Sequence, residues 1–147
     1  ASYVARATGR STRAARRAAS FVRARVDSPR ESRLRMMLVL AGLPTPECNR
    51  GIGTDEWFLG HGDLVYEAHR VVLEYEGDQH RTDPKQWNLD IGRYEEFIGE
   101  GWTVIRVTSA RMRTPRSMVQ RVYAALVKGG YGGPSPVFSD EWRQFFG

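Results

Sequence analysis

Acidic residues interrupt a stretch of sequence that is otherwise rich in Val, Leu and Tyr. Residues 62–81, GDLVYEAHRVVLEYEGDQHR, contain Asp63, Glu74 and Glu76. A buried carboxylate costs free energy unless a cation or hydrogen bonds compensate its charge. A divalent cation would supply that compensation, and oxygen ligands of this kind favour Mg²⁺ or Mn²⁺ over zinc. The stretch therefore predicts a metal site built from carboxylates.

The pairing of two predicted strands decides whether these acids share a face. We expect a hairpin turn with Ala68 and His69 as its two loop residues. Asp63 then lies directly opposite Glu74, with Cβ atoms about 4.5–5.5 Å apart, and alternation along the strand brings Glu76 to the same face. Like charges at this spacing repel, which favours a bound cation. The alternative is a set of ordinary ion pairs with Arg70, Arg81, Arg93 or Arg106.

Further polar groups lie near the predicted carboxylate cluster. Gln79 and His80 follow the second strand at its carboxyl end, where sites commonly lie in sheets covered by helices. His80 is a candidate general base or water-positioning group, and the alternative is a plain surface histidine. Glu31 lies on the same predicted helical face as Leu34 and Leu38, so it either caps the helix or reaches the metal.

The elements that position these residues have recognisable start and stop signals. Ser28, Pro29 and Glu31 form a capping box, and Gly42 ends that helix. A second helix begins at Pro84, with Gly101 as its stop, and a last helix opens at Thr114-Pro115 and carries Val119, Val122, Tyr123 and Leu126. The predicted apolar stripe of the second helix consists of Trp87, Ile91, Tyr94 and Ile98.

Strand signals occupy the intervals between these helices. Residues 46–60 predict one or two short strands, 62–67 and 70–76 predict the hairpin, and 102–107 predicts a buried strand. The order helix, antiparallel strands, helix, strand, helix indicates an α/β domain with a mixed central sheet flanked by helices. We expect that domain at 28–128. The segment 129–147 is a Gly/Pro linker and a short aromatic segment, which either docks on the core or contacts a partner.

Positive charge is concentrated at the beginning of the chain. The net charge is +5, but residues 1–25 carry seven arginines and no acid, which leaves −2 for the remainder. The segment 1–27 predicts a basic helix or linker that contacts a polyanion, and the alternative is a solvated face. The candidate nucleic-acid-binding residues are Arg13, Arg16, Arg17 and Arg81.

Other compositional features narrow the classes of protein. No apolar run is long enough for a membrane span, so we expect no membrane partner. The single cysteine, Cys48, excludes an internal disulfide and gives no zinc-ligand spacing, and a reducing cytoplasm fits this usage. The chain starts without Met, which predicts that it is part of a longer chain.

The carboxylate pattern resembles a known superfamily of nucleases. Asp63, ten intervening residues and Glu74-Tyr75-Glu76 are similar to the motif of the PD-(D/E)XK nucleases. The strings RVVLEYEGDQH and GWTVIRVT, with Asp90 and Arg93 between them, look like domains related to very-short-patch-repair endonucleases. The resemblance covers roughly residues 28–128.

This resemblance implies a restriction-endonuclease-like three-layer core and Mg²⁺-dependent cleavage of DNA. Asp63 and Glu74 would then be metal ligands, with the Tyr75 carbonyl completing the shell. Glu31 and His80 correspond to the helix acid and the histidine of that group, while Gln79, Asp90 and Arg93 would support the site. Glu76 stands where the superfamily usually has lysine, so the missing positive charge would come from a second metal, an arginine or His80.

The expected function is a metal-dependent DNA endonuclease, in DNA repair or phage defence, that uses Mg²⁺ or Mn²⁺. One alternative is a non-catalytic nucleic-acid-binding module of a toxin–antitoxin or defence regulator, whose DNA binding needs no metal. A protein-interaction domain that uses the C-terminal aromatic segment is another. The expected partner is DNA, and a homodimer stays an open alternative.

Overall fold

A four-stranded sheet lies between two layers of helices in the part of the chain that the structure describes. The structure is a computed structural model, and it describes residues 29–53, 58–76 and 84–147. The strands are β1 (Glu47–Gly53), β2 (Phe58–Tyr66), β3 (Val71–Tyr75) and β4 (Thr103–Val107). The helices are α1 (Pro29–Leu40), α2 (Pro84–Gly99), α3 (Ser109–Met112), α4 (Pro115–Lys128) and α5 (Asp140–Phe146).

Helix α1 begins and ends where its local signals predict. Pro29 is its first residue, and Leu34 and Leu38 on its inner face are fully buried. Gly42 adopts a φ of 96°, its N–H donates to the Val39 carbonyl, and the Leu43 N–H donates to the Leu38 carbonyl. This pair of hydrogen bonds is a Schellman motif, which satisfies carbonyls that the helix end leaves without an intrahelical partner.

The sheet has the strand order β1-β2-β3-β4 and is mixed. β1, β2 and β3 are antiparallel neighbours, whereas β4 runs parallel to β3 after the crossover through α2. Leu64 pairs with Leu73, and continuing this register places Asp63 opposite Glu74. The connecting turn is closed by a hydrogen bond from the Arg70 N–H to the Glu67 carbonyl. The predicted register of the hairpin is therefore confirmed.

Alternation along the strands divides the core between the two faces of the sheet. Leu64 and Leu73 face α1, α4 and α5, while Val65 and Val72 face α2 and contact Phe97. The predicted class, an α/β domain with a mixed sheet flanked by helices, is confirmed. Thr114-Pro115 opens α4 as expected, and α3 is a short helix that the sequence signals did not predict.

Helix α2 departs from its predicted apolar stripe at Ile98. Ile98 is 62% exposed, whereas Phe97 is fully buried. Arg93, one turn earlier, forms an ion pair with Glu74 on β3 and lies over the Phe97 ring. Placing Ile98 in the stripe was wrong because the Arg93–Phe97 face turns toward the sheet.

Strand β4 is less buried than its sequence predicts. Ile105 and Val107 are buried, but Thr103, Val104 and Arg106 are only half-buried. Among the described strands β4 pairs with β3 alone, so it forms an edge of the sheet. The prediction of a buried strand is therefore correct for Ile105 and Val107 and wrong for Thr103, Val104 and Arg106.

The C-terminal aromatic segment packs on the core. Trp142 of α5 is 1% exposed, and its Nε1–H donates to the Met37 carbonyl on α1 at 2.9 Å. Phe146 is also buried, with the Arg33 guanidinium over its ring. The segment therefore docks on the core, which is one of the two alternatives that the sequence left open. Among the described residues, no helix combines the length and apolar character needed to cross a membrane.

Candidate carboxylate site

Asp63 occupies the point where the β2–β3 ladder ends. Its side chain is half-buried, and its Oδ2 atom accepts a hydrogen bond from the Tyr75 backbone N–H at 2.7 Å. The carboxylate thus takes the position of a ladder acceptor and is held across the strands beside β3. It lies next to Glu74, the residue opposite Asp63 in the hairpin register. The two acids thus come from neighbouring strands at the same end of the β2–β3 hairpin.

Glu74 is a buried acid with a cationic partner. The residue is 6% exposed, and the Nη2 atom of Arg93 on α2 lies 2.8 Å from its Oε1 atom. In the parallel register Glu74 also lies beside Arg106 on β4. The ion pair offsets much of the cost of burying the carboxylate, because a buried charge is tolerated when it is paired and hydrogen-bonded.

Glu76 has a separate cationic partner on the neighbouring strand. The Nη2 atom of Arg106 lies 2.9 Å from Glu76 Oε1, and the two side chains are 30% and 11% exposed. The Arg106 guanidinium also lies 5.0 Å from the centre of the Tyr94 ring on α2. Arg106 is therefore held in place from the sheet and from the helix above it.

The contacts of these acids bear on the two alternatives, a metal site or a set of ordinary ion pairs. Two of the four arginines named in the ion-pair alternative, Arg93 and Arg106, contact Glu74 and Glu76. A third, Arg70, instead donates to the Glu100 carbonyl. Arginine thus compensates two of the three carboxylates without a metal.

A metal site with only two carboxylate ligands is still chemically reasonable. No group of three or more His, Cys, Asp or Glu side chains within the described ranges is arranged to hold a metal ion. Mg²⁺, however, commonly binds proteins through one or two carboxylates and completes its shell with water and substrate phosphates. The Asp63 and Glu74 carboxylates supply the two ligands of this kind, and Tyr75 follows Glu74 directly. Glu76 is engaged with Arg106 and does not belong to this set.

The N-terminal turn of α1 lies close to the end of β3. The Tyr75 hydroxyl donates to the Arg30 carbonyl, and the Arg30 guanidinium lies 5.3 Å from the centre of the Tyr75 ring. Burial raises the pKa of Tyr75 far above its usual value; nearby Arg30 opposes this increase, while the Glu31 and Asp63 carboxylates add to it. Half-buried Glu31 thus lies near Tyr75, on the α1 side of the sheet, whereas Glu74 contacts Arg93 on the α2 side.

Several predicted site residues lie outside the described part of the chain. They are Arg13, Arg16, Arg17, Gln79, His80 and Arg81. Asp90 belongs to α2, three residues before Arg93, and the structure does not describe its side chain. From the sequence, Arg106 was expected only as an ion-pair partner, in the alternative to a metal site. Arg106 is the single charged residue in the otherwise apolar strand Thr103–Val107, and this sequence signal could have identified it as a site residue.

Two curated proteins are similar to this chain. They are the uncharacterized protein MT2308 of Mycobacterium tuberculosis strain CDC 1551 / Oshkosh and the uncharacterized protein Rv2248 of Mycobacterium tuberculosis strain ATCC 25618 / H37Rv. Each is 27% identical over 124 residues, which is 82% of this chain and 45% of the relative. The chain thus spans less than half the length of the curated relatives it matches. No protein-family model matches the chain. No solved structure matches it.

Proposed function

We propose that this chain is a metal-dependent endonuclease domain that hydrolyses DNA phosphodiester bonds. The observation that carries the proposal is the Asp63 carboxylate, held on the Tyr75 N–H beside Glu74. The order of elements also supports it: a helix with an acid in its first turn, an Asp-bearing strand, a strand that carries Glu74 next to its last residue, a helix with Arg93, and an apolar strand. This order agrees with a restriction-endonuclease-like fold, which we propose as part of the same hypothesis.

The proposed metal ligands are the Asp63 and Glu74 carboxylates and the Tyr75 carbonyl. When bound there, Mg²⁺ or Mn²⁺ would lower the pKa of a bound water and offset charge on the phosphate. The protein's own contribution is to hold the two carboxylates in register. Asp63 is fixed by the hydrogen bond from Tyr75, and Glu74 by Arg93.

Arg106 supplies positive charge near the position where related nucleases carry lysine. Glu76 occupies that position, and its carboxylate is bound by the Arg106 guanidinium, which also lies over Tyr94. A cation held in place before the reaction stabilises developing negative charge without reorganisation. We propose that Arg106 takes the role of the missing lysine. His80 stays the proposed general base, and Glu31 the proposed acid from α1.

The alternative function is a nucleic-acid-binding module without catalysis. The observation that favours it is the pair of ion pairs that Arg93 and Arg106 form with Glu74 and Glu76. These contacts give both acids an arginine as a cationic partner, which a binding module without a metal would require. In this case DNA binding would depend on salt but not on metal.

A cleavage assay distinguishes the two functions. The purified chain is incubated with supercoiled, linear double-stranded and single-stranded DNA in the presence of Mg²⁺, Mn²⁺ or EDTA. We expect metal-dependent cleavage that Asp63→Asn reduces by about 100-fold or more. Glu95→Gln, an exposed acid on α2, is the matched control and should cleave normally.

Two outcomes would contradict the endonuclease. The first is wild-type protein that cuts none of the DNA forms with either metal. The second is cleavage that is equal in wild type and Asp63→Asn. Salt-sensitive DNA binding that persists in EDTA and in Asp63→Asn, without cleavage, would support the binding module instead.

A further inference from the structure

A groove lies between the outer edge of β4 and one face of α4. Its volume is about 610 Å³, and its walls include Thr103, Val104 and Ile105 of β4. The helical wall consists of exposed residues spaced three or four apart along α4, which places them on one face: Ser117, Gln120, Arg121, Ala124 and Lys128. Ligand-binding pockets commonly have volumes of about 300–1,000 Å³, so this groove is large enough for a bound segment.

The β4 edge offers backbone hydrogen-bonding groups to this groove. The Thr103 N–H donates to the Arg70 carbonyl at 2.8 Å, toward β3. At the other end of the strand, the Val107 carbonyl accepts from the Glu76 N–H at 3.0 Å. Because hydrogen-bonding direction alternates along a strand, the N–H and C=O groups of Val104 point outward.

Arg111 confirms this alternation and limits the length of the open edge. Its Nη1 atom donates to the Arg106 carbonyl at 2.6 Å, so that carbonyl also faces away from β3. The Arg111 guanidinium thus occupies the outward-facing carbonyl in the C-terminal half of β4. A ligand that extends the sheet would therefore bind along the first half of the strand, around Val104.

The groove is positively charged. Arg111, Arg121 and Lys128 line it, and none of the lining residues that the structure describes is acidic. Ser117 and Ala124 are small, which leaves room between strand and helix for another chain. We infer that this groove binds an extended acidic peptide segment, which adds to the edge at Val104 and directs acidic side chains toward Arg121 and Lys128.

A peptide fits this edge better than the other two classes of ligand. Val104 presents a donor and an acceptor side by side, and a peptide backbone supplies the complement of both. A nucleic-acid phosphate offers only acceptors and would leave the Val104 carbonyl without a partner. A second copy of β4 would bring the same cations to the same place, where they would repel. This inference does not depend on the proposed nuclease activity.

Fluorescence anisotropy of labelled octapeptides tests the inference on the whole chain. The probes carry Glu at alternate positions, with Val, Thr, Leu or Tyr between them, and each is matched by a version N-methylated along one edge. We expect salt-sensitive binding of the unmodified peptides only. The double variant Arg121→Glu/Lys128→Glu should weaken binding by about tenfold or more.

Two variants complete the design. Val104→Pro removes the outward N–H and leaves the hydrogen bonds to β3 intact, because proline is tolerated on edge strands, and it should weaken binding at least fivefold. Arg143→Glu changes the charge of an exposed residue on α5, outside the groove, and should bind normally. Circular dichroism verifies that each variant is folded, and the N-methylated peptides test the edge without any substitution.

Several results would overturn the inference. They are absence of peptide binding at millimolar concentration, equal binding of methylated and unmethylated peptides, and equal loss of binding in Arg143→Glu. Binding of an oligodeoxynucleotide that the groove variants weaken, without peptide binding, would assign the groove to nucleic acid. A dimer that Val104→Pro dissociates would assign it to a second copy.

Discussion

The Nη2 atom of Arg93 on α2 lies 2.8 Å from the Oε1 atom of Glu74, a carboxylate on β3 that is only 6% exposed. This contact joins helix and sheet across 19 residues of sequence. It orients α2, since Phe97 follows Arg93 by one turn and is buried against β2 and β3. The same carboxylate is a proposed metal ligand, so the packing of α2 and the chemistry of the site depend on one ion pair.

Removing Arg93 should destabilise the protein. Arg93→Met leaves Glu74 buried without its cation, and we expect the free energy of unfolding to fall by about 2–3 kcal/mol, less than for a fully buried pair because the arginine is partly exposed. The double variant Arg93→Met/Glu74→Gln should recover part of this loss. Urea denaturation followed by circular dichroism measures both. Strict additivity of the two single variants would contradict the coupling.

Asp63→Asn should weaken the binding of Mn²⁺ without unfolding the chain. The amide oxygen still accepts from the Tyr75 N–H, so the hairpin end keeps its hydrogen bond. The negative charge is lost, and we expect about tenfold weaker binding or more by calorimetry. Glu95→Gln is the control for loss of one surface charge. Identical Mn²⁺ binding in Asp63→Asn and wild type would exclude Asp63 as a ligand.

Arg106 should affect the chemical step more than DNA binding. If its guanidinium stabilises developing charge, Arg106→Gln should lower kcat of DNA cleavage by about 100-fold with a smaller change in KM. Arg106→Lys keeps a cation near Glu76 and should retain more activity. Arg113→Gln, an exposed neighbour on the short segment after β4, is the control. A loss confined to KM would indicate a role in binding alone.

Trp142 should be essential for the stability of the domain. Its indole is 1% exposed and packs against Phe138 and Phe146, and its N–H donates to Met37 on α1. Trp142→Ala should cost about 3–5 kcal/mol in the free energy of unfolding. Arg143→Ala, exposed on the same helix, should change stability little. An unaltered denaturation midpoint in Trp142→Ala would mean that α5 does not belong to the core in solution.

The buried phenol of Tyr66 and the half-buried phenol of Tyr75 should make the protein sensitive to alkali. Burial raises the pKa of Tyr66 and of Tyr75 well above the ordinary value, which is about 10. The unfolded chain therefore releases these protons first, so stability is complete below about pH 10 and falls as the pH rises, by up to about 1.4 kcal/mol per pH unit for each group.

Tyr66→Phe separates this effect from other causes of alkaline unfolding. It removes one ionising group and also the hydrogen bond to the Pro44 carbonyl, so the variant should be less stable at pH 7 but lose stability less steeply above pH 10. Urea denaturation at intervals from pH 7 to 11 measures both changes. Tyr123→Phe on α4 controls for loss of a phenol. An unchanged pH slope in Tyr66→Phe would contradict the prediction.

The local features of this fold follow from short-range sequence signals. Pro29 and Gly42 mark the ends of α1 because proline suits the first helical turn and glycine tolerates the positive φ that follows the last. The hairpin register was predictable because a turn of two loop residues and the alternation of side chains leave few ways to pair the strands. The proximity of Asp63 and Glu74 followed from that register.

Which charges contact each other depends on how the elements pack in three dimensions. Arg106 is 30 residues from Glu76 in sequence, and the contact exists because β4 lies parallel to β3 in one register. Likewise, the burial of Phe97 instead of Ile98 depends on how α2 is rotated over the sheet. Distances between elements that are remote in sequence are set by the packing of the whole core. Composition and periodicity report local geometry, and they carry no information about which of several arginines arrives beside a given carboxylate.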